Sequence, residues 1–597
     1  MEEMVDRQEH QRFKFAVQAG ARQVIAHKQE LNNINVFPVS DGDTGSNLAS
    51  LMQTILEETG EQLTSGLALF ERVADASLVG ARGNSGIIMA QYFNGLYENL
   101  AREDEASFVS QFVNSAKLAI TDAYQAIEKP VEGTMITVIR SWGETLHSQS
   151  QDEAIETRLN HALRVAKLTL EKTTDQLKVL QKNQVVDSGA KGFYLFIEGF
   201  TQSFNNKEIP VAAEEIVKVK RHFHQELAGE KPLNRYCTEV LLETQGTKEE
   251  LQGALADLGD STVVAVNRGK ARIHIHSNRP AEVLSILREW GQPIQQKADD
   301  MLLQYQIRQH KKAPIALVTD SIADIPAEYL LSHQIHVLPM AILIGDASYL
   351  DRLTIENNEL FSLQKTLGRG STSQPGLSQI ENLLAFLDTL YEEIIVVTVS
   401  DKLSGTYQSV KRIAQKQLLS ARIEVIDSKQ NSAAQGLLVM RINQWIQAGE
   451  SFERIVEKAN DWRDKVKILV SVDDLEPMIQ SGRVPQSLGR LAQKMKLKPL
   501  VSLANGEGKL SSFSLNLESN ESKMLRQIMA YHKKKQLLSY GIVYASDGER
   551  AEKWQEQLTA KLGMPPSFVM PISTVVALSA GDGSVAVAFE FDEGVNV

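Results

Sequence analysis

Cysteine is almost missing from this 597-residue chain: Cys237 stands alone, so no intramolecular disulfide can form. A reducing compartment fits that usage. Long apolar runs are missing too, and none approaches the roughly 20 residues that cross a bilayer. The opening MEEMVDRQEH carries charge where a signal peptide needs an apolar segment. The expected location is the cytoplasm, with at most transient contact with a membrane surface. A basic excess is also lacking. The net charge of −12 argues against a nucleic-acid partner, because a phosphate backbone is held by basic residues that release counterions. Neither an internal repeat nor a low-complexity tract interrupts the chain. What is present is ordinary for a soluble globular protein, 43% hydrophobic and 23% charged. The length is too great for one core and predicts about three or four domains.

Three textures follow one another. Over residues 1–207 apolar positions recur at helical spacing, as in Leu48, Leu51, Met52 and Ile55, or Met89, Tyr92, Phe93 and Leu96. This segment is expected to be an all-α bundle or barrel. Residues 208–312 mix strand-like alternation (EEIVKVKRHF, YCTEVLLET, STVVAVNRG, ARIHIHSN) with helical stretches and predict a small α+β domain. It closes on QYQIRQHKKAP, read as a polar and basic connection. From 313 to 597, short apolar strands (IALVTDS, EIIVVTVSD, RIEVIDS, VKILVSV, YGIVYASD) alternate with helical patterns, the rhythm of an α/β domain with largely parallel strands. Several of those strands end in Ser or Asp, where open α/β sheets place ligand contacts.

Four glycine clusters punctuate the helical segment: DGDTG, GARGNSG, EGT and DSGAKG. A single cluster would be a helix cap or turn. Four, each just ahead of an apolar helix, suggest helix N-termini converging on an anion, since a helix N-terminus offers unpaired N–H groups and a positive dipole end. In NVFPVSDGDTGSN the carboxylates of Asp41 and Asp43 stand two apart across a glycine, an arrangement that lets both turn toward cations. Magnesium is commonly held by one or two carboxylates together with substrate phosphates. Asn35 is a neutral third contributor. The plainer alternative is that one aspartate caps a helix beginning near Asn47. GARGNSG lacks the ending of a Walker A loop and the strand that precedes a Rossmann fingerprint. Asn84 and Ser85 are its candidate donors to phosphate oxygens, and Arg82 reads as structural.

Taken in order, NVFPVSDGDTGSN, GARGNSG, EGT and VVDSGAKG resemble the nucleotide-binding L-type domain of the dihydroxyacetone kinase family, in the form found in bacterial fatty acid kinases. The resemblance implies an eight-helix barrel-like bundle that binds ATP through two magnesium ions. It places Asn35, Asp41 and Asp43 at the metals, with Asp41 and Asp43 as the catalytic carboxylates. Thr44, Asn47, Gly83, Asn84, Ser85, Thr134 and Asp187 fall in the nucleotide motifs. The sugar kinases carry aspartate where this chain has Asn35 and usually histidine where it has Thr44, which favours the fatty acid type. The chemistry agrees: a carboxylate acceptor is already ionised at pH 7 and needs positioning and charge neutralisation, not deprotonation. Phosphoryl transfer depends on those two effects.

In the middle segment, His274 and His276 share one face of a strand, because side chains two apart point the same way. With Cys237 they are acceptable zinc ligands, although a lone cysteine is most often a small buried hydrophobe. The order YCTE then HIH resembles the middle domain of the fatty acid kinases, where these positions form a metal site and the domain is a homodimer contact. His222 and His224 read as exposed and incidental.

The last segment resembles the DegV family of fatty-acid-binding proteins through VTDSIADIP (318–326), STSQP (371–375), SDKLSGTYQS (400–409), VIDSK (425–429), the SGRV turn at 481 and SAGDGSVAVAF (579–589). That implies two α/β lobes enclosing an acyl chain, with Ser321, Thr372, Ser373, Ser404, Gly405, Thr406 and Ser579 in the matching lipid-site motifs. In the family the final motif usually starts with histidine, here Ser579, and has proline where this chain has Asp582. A like charge near a bound carboxylate disfavours it. Either the domain binds lipid differently or it docks a separate DegV-type carrier.

Three functions are consistent with these features. The leading one is ATP-dependent phosphorylation of a fatty acid to acyl phosphate. The others are a kinase of a small polyol such as dihydroxyacetone and a non-catalytic lipid-binding scaffold.

Overall fold

The computed structural model describes residues 2–592 except 38–41, 61–64, 103–106, 128–129, 151, 206–230, 417–418, 474 and 482–496. Asp41, the stretch EEIVKVKRHF with His222 and His224, and most of the SGRV turn lie outside the described residues. The chain forms two compact units, one ending at Tyr305 and the other starting at Gln306.

The first unit begins with ten helices among the described residues: α1 (Glu2–Ala26), α2 (Lys28–Asn33), α3 (Thr44–Glu58), α4 (Gly66–Gly80), α5 (Gly83–Leu100), α6 (Phe108–Gln125), α7 (Met135–Ser148), α8 (Ile155–Gln176), α9 (Lys178–Asn183) and α10 (Ser188–Phe204). The helical periodicity translates directly into packing. Leu48, Leu51, Met52 and Ile55 of α3, and Met89, Tyr92, Phe93 and Leu96 of α5, are all buried in one core. Phenylalanines tie its ends together, with Phe13 of α1 in ring contact with Phe70, Phe108, Phe112, Phe200 and Phe204. Helix α3 starts at Thr44, three residues before the expected Asn47, and its N-cap Asp43 makes no side-chain capping bond. The carboxylate is thereby left to other partners.

The same unit continues into a four-stranded antiparallel sheet of β1 (Tyr236–Thr244), β2 (Asp260–Asn267), β3 (Lys270–Ser277) and β4 (Gly291–Asp300), in the order β2-β3-β1-β4. Register decides its two faces. Val240, Leu242, Val264, Ile273 and Ile275 point to one side and form a core with α11 (Lys248–Leu255) and α12 (Pro280–Trp290). The opposite side carries Cys237, Glu239, His274 and His276. From that side Val263 and Ala265 join the core of the helical bundle. A capping box at Thr247 and Glu250 starts α11. The connection QYQIRQHKKAP is largely helical, within Met301–Gln309, because Met301, Leu303 and Ile307 find burial.

In the second unit, β5 (Ile315–Asp320), β6 (His336–Leu338), β10 (Glu393–Thr398) and β11 (Arg422–Asp427) form a parallel sheet in the order β11-β10-β5-β6. A three-stranded sheet of β7 (Ala341–Ile344), β8 (Ala347–Leu350) and β9 (Ser371–Ser373) lies in the same unit. The third sheet has six strands: β12 (Val466–Ser471), β13 (Lys498–Ala504), β14 (Glu507–Ser514), β15 (Gln536–Tyr544), β16 (Phe568–Pro571) and β17 (Val585–Asp592). Here the expectation of parallel strands fails, since only β15 and β16 pair in parallel. One of the antiparallel pairs has a local origin: Asn505 and Gly506 both take positive φ and close a two-residue hairpin between β13 and β14, for which Asn-Gly is the preferred pair.

Helices α1 and α10 approach closely enough to demand glycine at their crossing. A Cβ on Gly20 would fall 2.6 Å from the Phe196 carbonyl oxygen, and one on Gly199 would fall 2.8 Å from that of Ala19. Backbone atoms cannot move aside as side-chain ends do. Gly20→Ala and Gly199→Ala are each expected to destabilise the first unit by about 1–3 kcal/mol, the usual cost of overpacking a core, read as a lower denaturation midpoint in urea.

Candidate functional site

All four glycine clusters lie at helix starts: Thr44 opens α3, Gly83 opens α5, Met135 opens α7 and Ser188 opens α10. These ends touch in sequence. A Cβ on Gly83 would fall 2.7 Å from Asn47 Nδ2, and one on Gly189 would fall 2.5 Å from Ser85 Oγ. Asp187, the N-cap of α10, accepts a hydrogen bond from the Ala190 N–H at 2.7 Å and another from the Met135 N–H. Gly42, Gly83 and Gly133 all have positive φ, a conformation glycine adopts without strain. The N-termini of α3, α5, α7 and α10 are thus neighbours, the arrangement that suits a polyanion.

Around these ends, the Thr44 hydroxyl donates to Asn35 Oδ1 at 2.7 Å. Both residues are buried, and so is Asn47. Ser188 Oγ donates to the Leu31 carbonyl at 2.7 Å. Asn84 Oδ1 is buried and lacks a hydrogen-bond partner among the described residues. Thr134 donates to the Val131 carbonyl, and Glu132 accepts from Tyr124, Thr137 and Arg140. Arg82 is tied to its surroundings: Nη1 donates to the Val79 and Ala81 carbonyls and Nη2 to Gln295 of β4.

The polar face of the four-stranded sheet closes against this cluster. Register places Cys237 opposite His276 and Asp299, and Glu239 opposite His274 and Lys297. Sγ of Cys237 lies 3.7 Å from His274 Nδ1. One ligand atom from each of Cys237, His274 and His276 falls within 4.8 Å of the others. Tetrahedral zinc, with bonds of about 2.3 Å to sulfur and 2.0–2.1 Å to nitrogen, needs ligand atoms roughly 3.3–3.6 Å apart. The donor set and the unpartnered, buried His274 Nε2 fit such an ion.

Glu239 joins the two halves. Its carboxylate is buried, accepts the Gly83 N–H, pairs with Arg272 at 3.2 Å and lies 3.6 Å from His274 Nδ1. Burial raises its pKa, but His274, Lys297 and Arg272 more than offset this and hold it ionised, well below the usual carboxylate range. Lys297 Nζ lies 2.5 Å from Asp299 Oδ2 and 3.4 Å from Asp43 Oδ2. Glu239, Arg272, Lys297 and Asp299 escaped the motif reading. The alternation in YCTEVLLET and QPIQQKADD carried their facing, but the strand pairing that unites them is a tertiary fact.

In the second unit, a cavity of about 410 Å³ is lined by apolar side chains such as Ile322, Val399, Ile468 and Val575, and by the hydroxyls of Thr372, Ser373, Ser404 and Ser579. Gly405 is on the same wall. Ser321 and Thr406, expected with them, do not line it. The Ser321 hydroxyl is engaged by Asp351 at 2.6 Å and the Met340 N–H at 3.0 Å, and Thr406 packs behind the wall against Ser404 and Met340 Sδ. Asp582 is exposed, hydrogen-bonded by Ser546 and off the cavity wall, so it does not place the expected negative charge inside.

Sequence comparison agrees with this division. Residues 38–202 match the DAK2 domain, residues 234–308 the FakA-like middle domain of fatty acid kinase, and residues 314–592 the uncharacterised DegV family. The chain carries these three domains in that order, as the motifs imply. An uncharacterized protein of Staphylococcus epidermidis is 30% identical over 339 residues, 52% of this chain and 61% of the relative. Protein YloV of Bacillus subtilis is 31% identical over 307 residues, 49% of this chain and 55% of the relative. The chain therefore spans about three-fifths or less of these relatives. A fatty-acid-binding DegV family protein from Thermus thermophilus covers 47% of this chain and all of its own, with 23% identity and a TM-score of 0.44. DegV of Bacillus subtilis, a fatty acid binding protein, gives 24% and 0.43 over the same share. No helix among the described residues is long and apolar enough to cross a membrane.

Burial raises the Asp187 pKa to about 7 despite its two backbone donors. Between the unfolded carboxylate value near 4 and about 7, the folded state holds a proton that the unfolded state has lost, so stability falls as pH rises through that window and levels above it. Asp187→Asn removes this dependence. Urea denaturation should show the wild type losing on the order of 1–4 kcal/mol relative to the variant between pH 4 and 7.5.

Proposed function

We propose that this chain is an ATP- and Mg²⁺-dependent fatty acid kinase that forms acyl phosphate and ADP, with its DegV domain presenting the lipid or docking a separate carrier. The observation that carries the reading is the meeting of four helix N-termini beside Asp43 and Asn35. In this reading the phosphates sit against the ends of α3, α5, α7 and α10 and take the N–H groups there that Glu239 and Asp187 do not already hold. Asn35, Asp41 and Asp43 hold two magnesium ions, which supply charge neutralisation of the phosphates and alignment of the transferring group. Oxygen donors of this kind are what magnesium takes. Thr44 keeps Asn35 Oδ1 oriented through its hydrogen bond. The Glu239 carboxylate holds the Gly83 N–H and so sets the phosphate loop against the Cys237, His274 and His276 cluster, which would take a zinc ion.

The acceptor is a carboxylate, so no base is required. Its oxygen forms a bond to the γ-phosphorus as the bond to the bridging oxygen of ADP breaks. The cavity supports an acyl ligand: about 410 Å³ lies within the roughly 300–1,000 Å³ of small-molecule sites. Its apolar wall suits a hydrocarbon chain, and Thr372, Ser373, Ser404 and Ser579 offer hydroxyls to a head group. With kinase and lipid domains on one chain, the effective concentration of acceptor rises wherever the linkage spans the two sites.

Incubation of the full chain with ATP, Mg²⁺ and mixed fatty acids, trapping product with hydroxylamine, should yield acyl hydroxamate. Asp43→Ala should lower the rate about a hundredfold or more, because a metal ligand supports several kcal/mol of charge stabilisation. ATP turnover with dihydroxyacetone and none with fatty acid would instead identify a polyol kinase. Metal analysis provides an independent check, with about one zinc per chain expected for a three-ligand site. Cys237→Ser and His274→Ala should each lose it, and zinc retained in both variants would remove the metal from this site.

A further inference from the structure

One cation of the first unit belongs to neither set of motifs and reaches the glycine-loop cluster from the sheet. Lys297 lies on β4, the edge strand of the four-stranded sheet. Edge lysines ordinarily point to water, where they discourage pairing with other chains. This one points inward. Its backbone is paired with Glu239, the residue that accepts the Gly83 N–H at the start of α5. Its ammonium lies 3.4 Å from Asp43 at the start of α3 and 2.5 Å from Asp299. The side chain is 28% exposed, so it is enclosed by the site without being sealed from it. Arg272, the other buried cation of this face, pairs with Glu239 and is fully buried.

Asp299 alone would satisfy Lys297 as an ion pair on its own strand. The approach to Asp43 is what calls for an explanation, because it brings a cation to a carboxylate assigned to magnesium. Transfer to an anionic acceptor brings two negatively charged reactants together, and a fixed ammonium stabilises the charge that develops between them. Resting on the kinase reading above, we propose that Lys297 is a catalytic residue supplied by the middle domain, its ammonium contacting the γ-phosphoryl group during transfer. Lys297 keeps its proton throughout. The acceptor oxygen bonds to phosphorus, the bond to the β,γ-bridging oxygen breaks with its electron pair passing to ADP, and the ammonium stays against the γ-phosphoryl oxygens.

The test is titration calorimetry on the full chain with Mg²⁺ and either the β,γ-imido analogue of ATP or ADP, which lacks the γ-phosphoryl group. Lys297→Met keeps the aliphatic stem and removes the charge. It is expected to weaken the ATP analogue about tenfold while changing ADP by less than about twofold, the size of one charge-assisted contact. Lys297→Arg should restore binding of the analogue to within about threefold. Unchanged ADP binding also reports that the variant site is folded. Equal weakening of both nucleotides would overturn the proposal in favour of an architectural lysine, and so would no change in either. Wild-type chain that binds neither nucleotide would overturn the kinase reading itself, and this inference with it.

Discussion

A buried carboxylate must find compensating partners or lose its charge, and Glu239 is where the first unit meets that constraint between its sheet and its bundle. Its oxygens face a backbone N–H from the helical bundle, a guanidinium and an imidazole from the neighbouring strand, and the charge of Lys297 from the strand on its other side. Removing the guanidinium, its direct ion-pair partner, would leave charge uncompensated in a low-dielectric interior. The sheet and the bundle are therefore joined by a polar contact that tolerates little displacement. That contact fixes the glycine loop at Gly83 relative to Cys237, His274 and His276.

The same need shapes the helix starts. Each of the four glycine loops leaves N–H groups unpaired within its own helix, and the bundle gathers these ends in place of sending them separately to solvent. Some are satisfied internally, as where Asp187 serves both α10 and α7. Others stand beside unpartnered buried atoms such as Asn84 Oδ1. A cluster of positive dipole ends is stabilised by anions. Asp43 and Glu239 are among the carboxylates the chain itself contributes at this junction.

In the second unit, polar and apolar roles separate by depth. Ser321 and Asp351 form a hydrogen-bonded pair behind the cavity, tied to the backbone N–H of Met340, itself a residue of the wall. The cavity wall mixes aliphatic side chains with hydroxyls. Ser404 shares a hydrogen bond with Thr406 and still stands on the wall, whereas Ser321 is held away from it by Asp351 and the Met340 N–H.

Much was legible in the sequence. Apolar spacing determined the helices around Leu48 and Met89, and alternation determined the facing of His274 with His276. The motif order determined the three domains, and the glycine clusters marked four helix starts. Local chemistry suffices for these features, because periodicity and glycine act within a few residues. Strand direction in the six-stranded sheet was legible only at Asn505-Gly506, where turn chemistry outweighs the βα rhythm. What tertiary structure alone decided is who meets whom. Glu239 lies 156 residues from Gly83 and Lys297 lies 254 from Asp43, so no local pattern encodes either contact. They follow from strand register and from the need to pair charges that the fold buries.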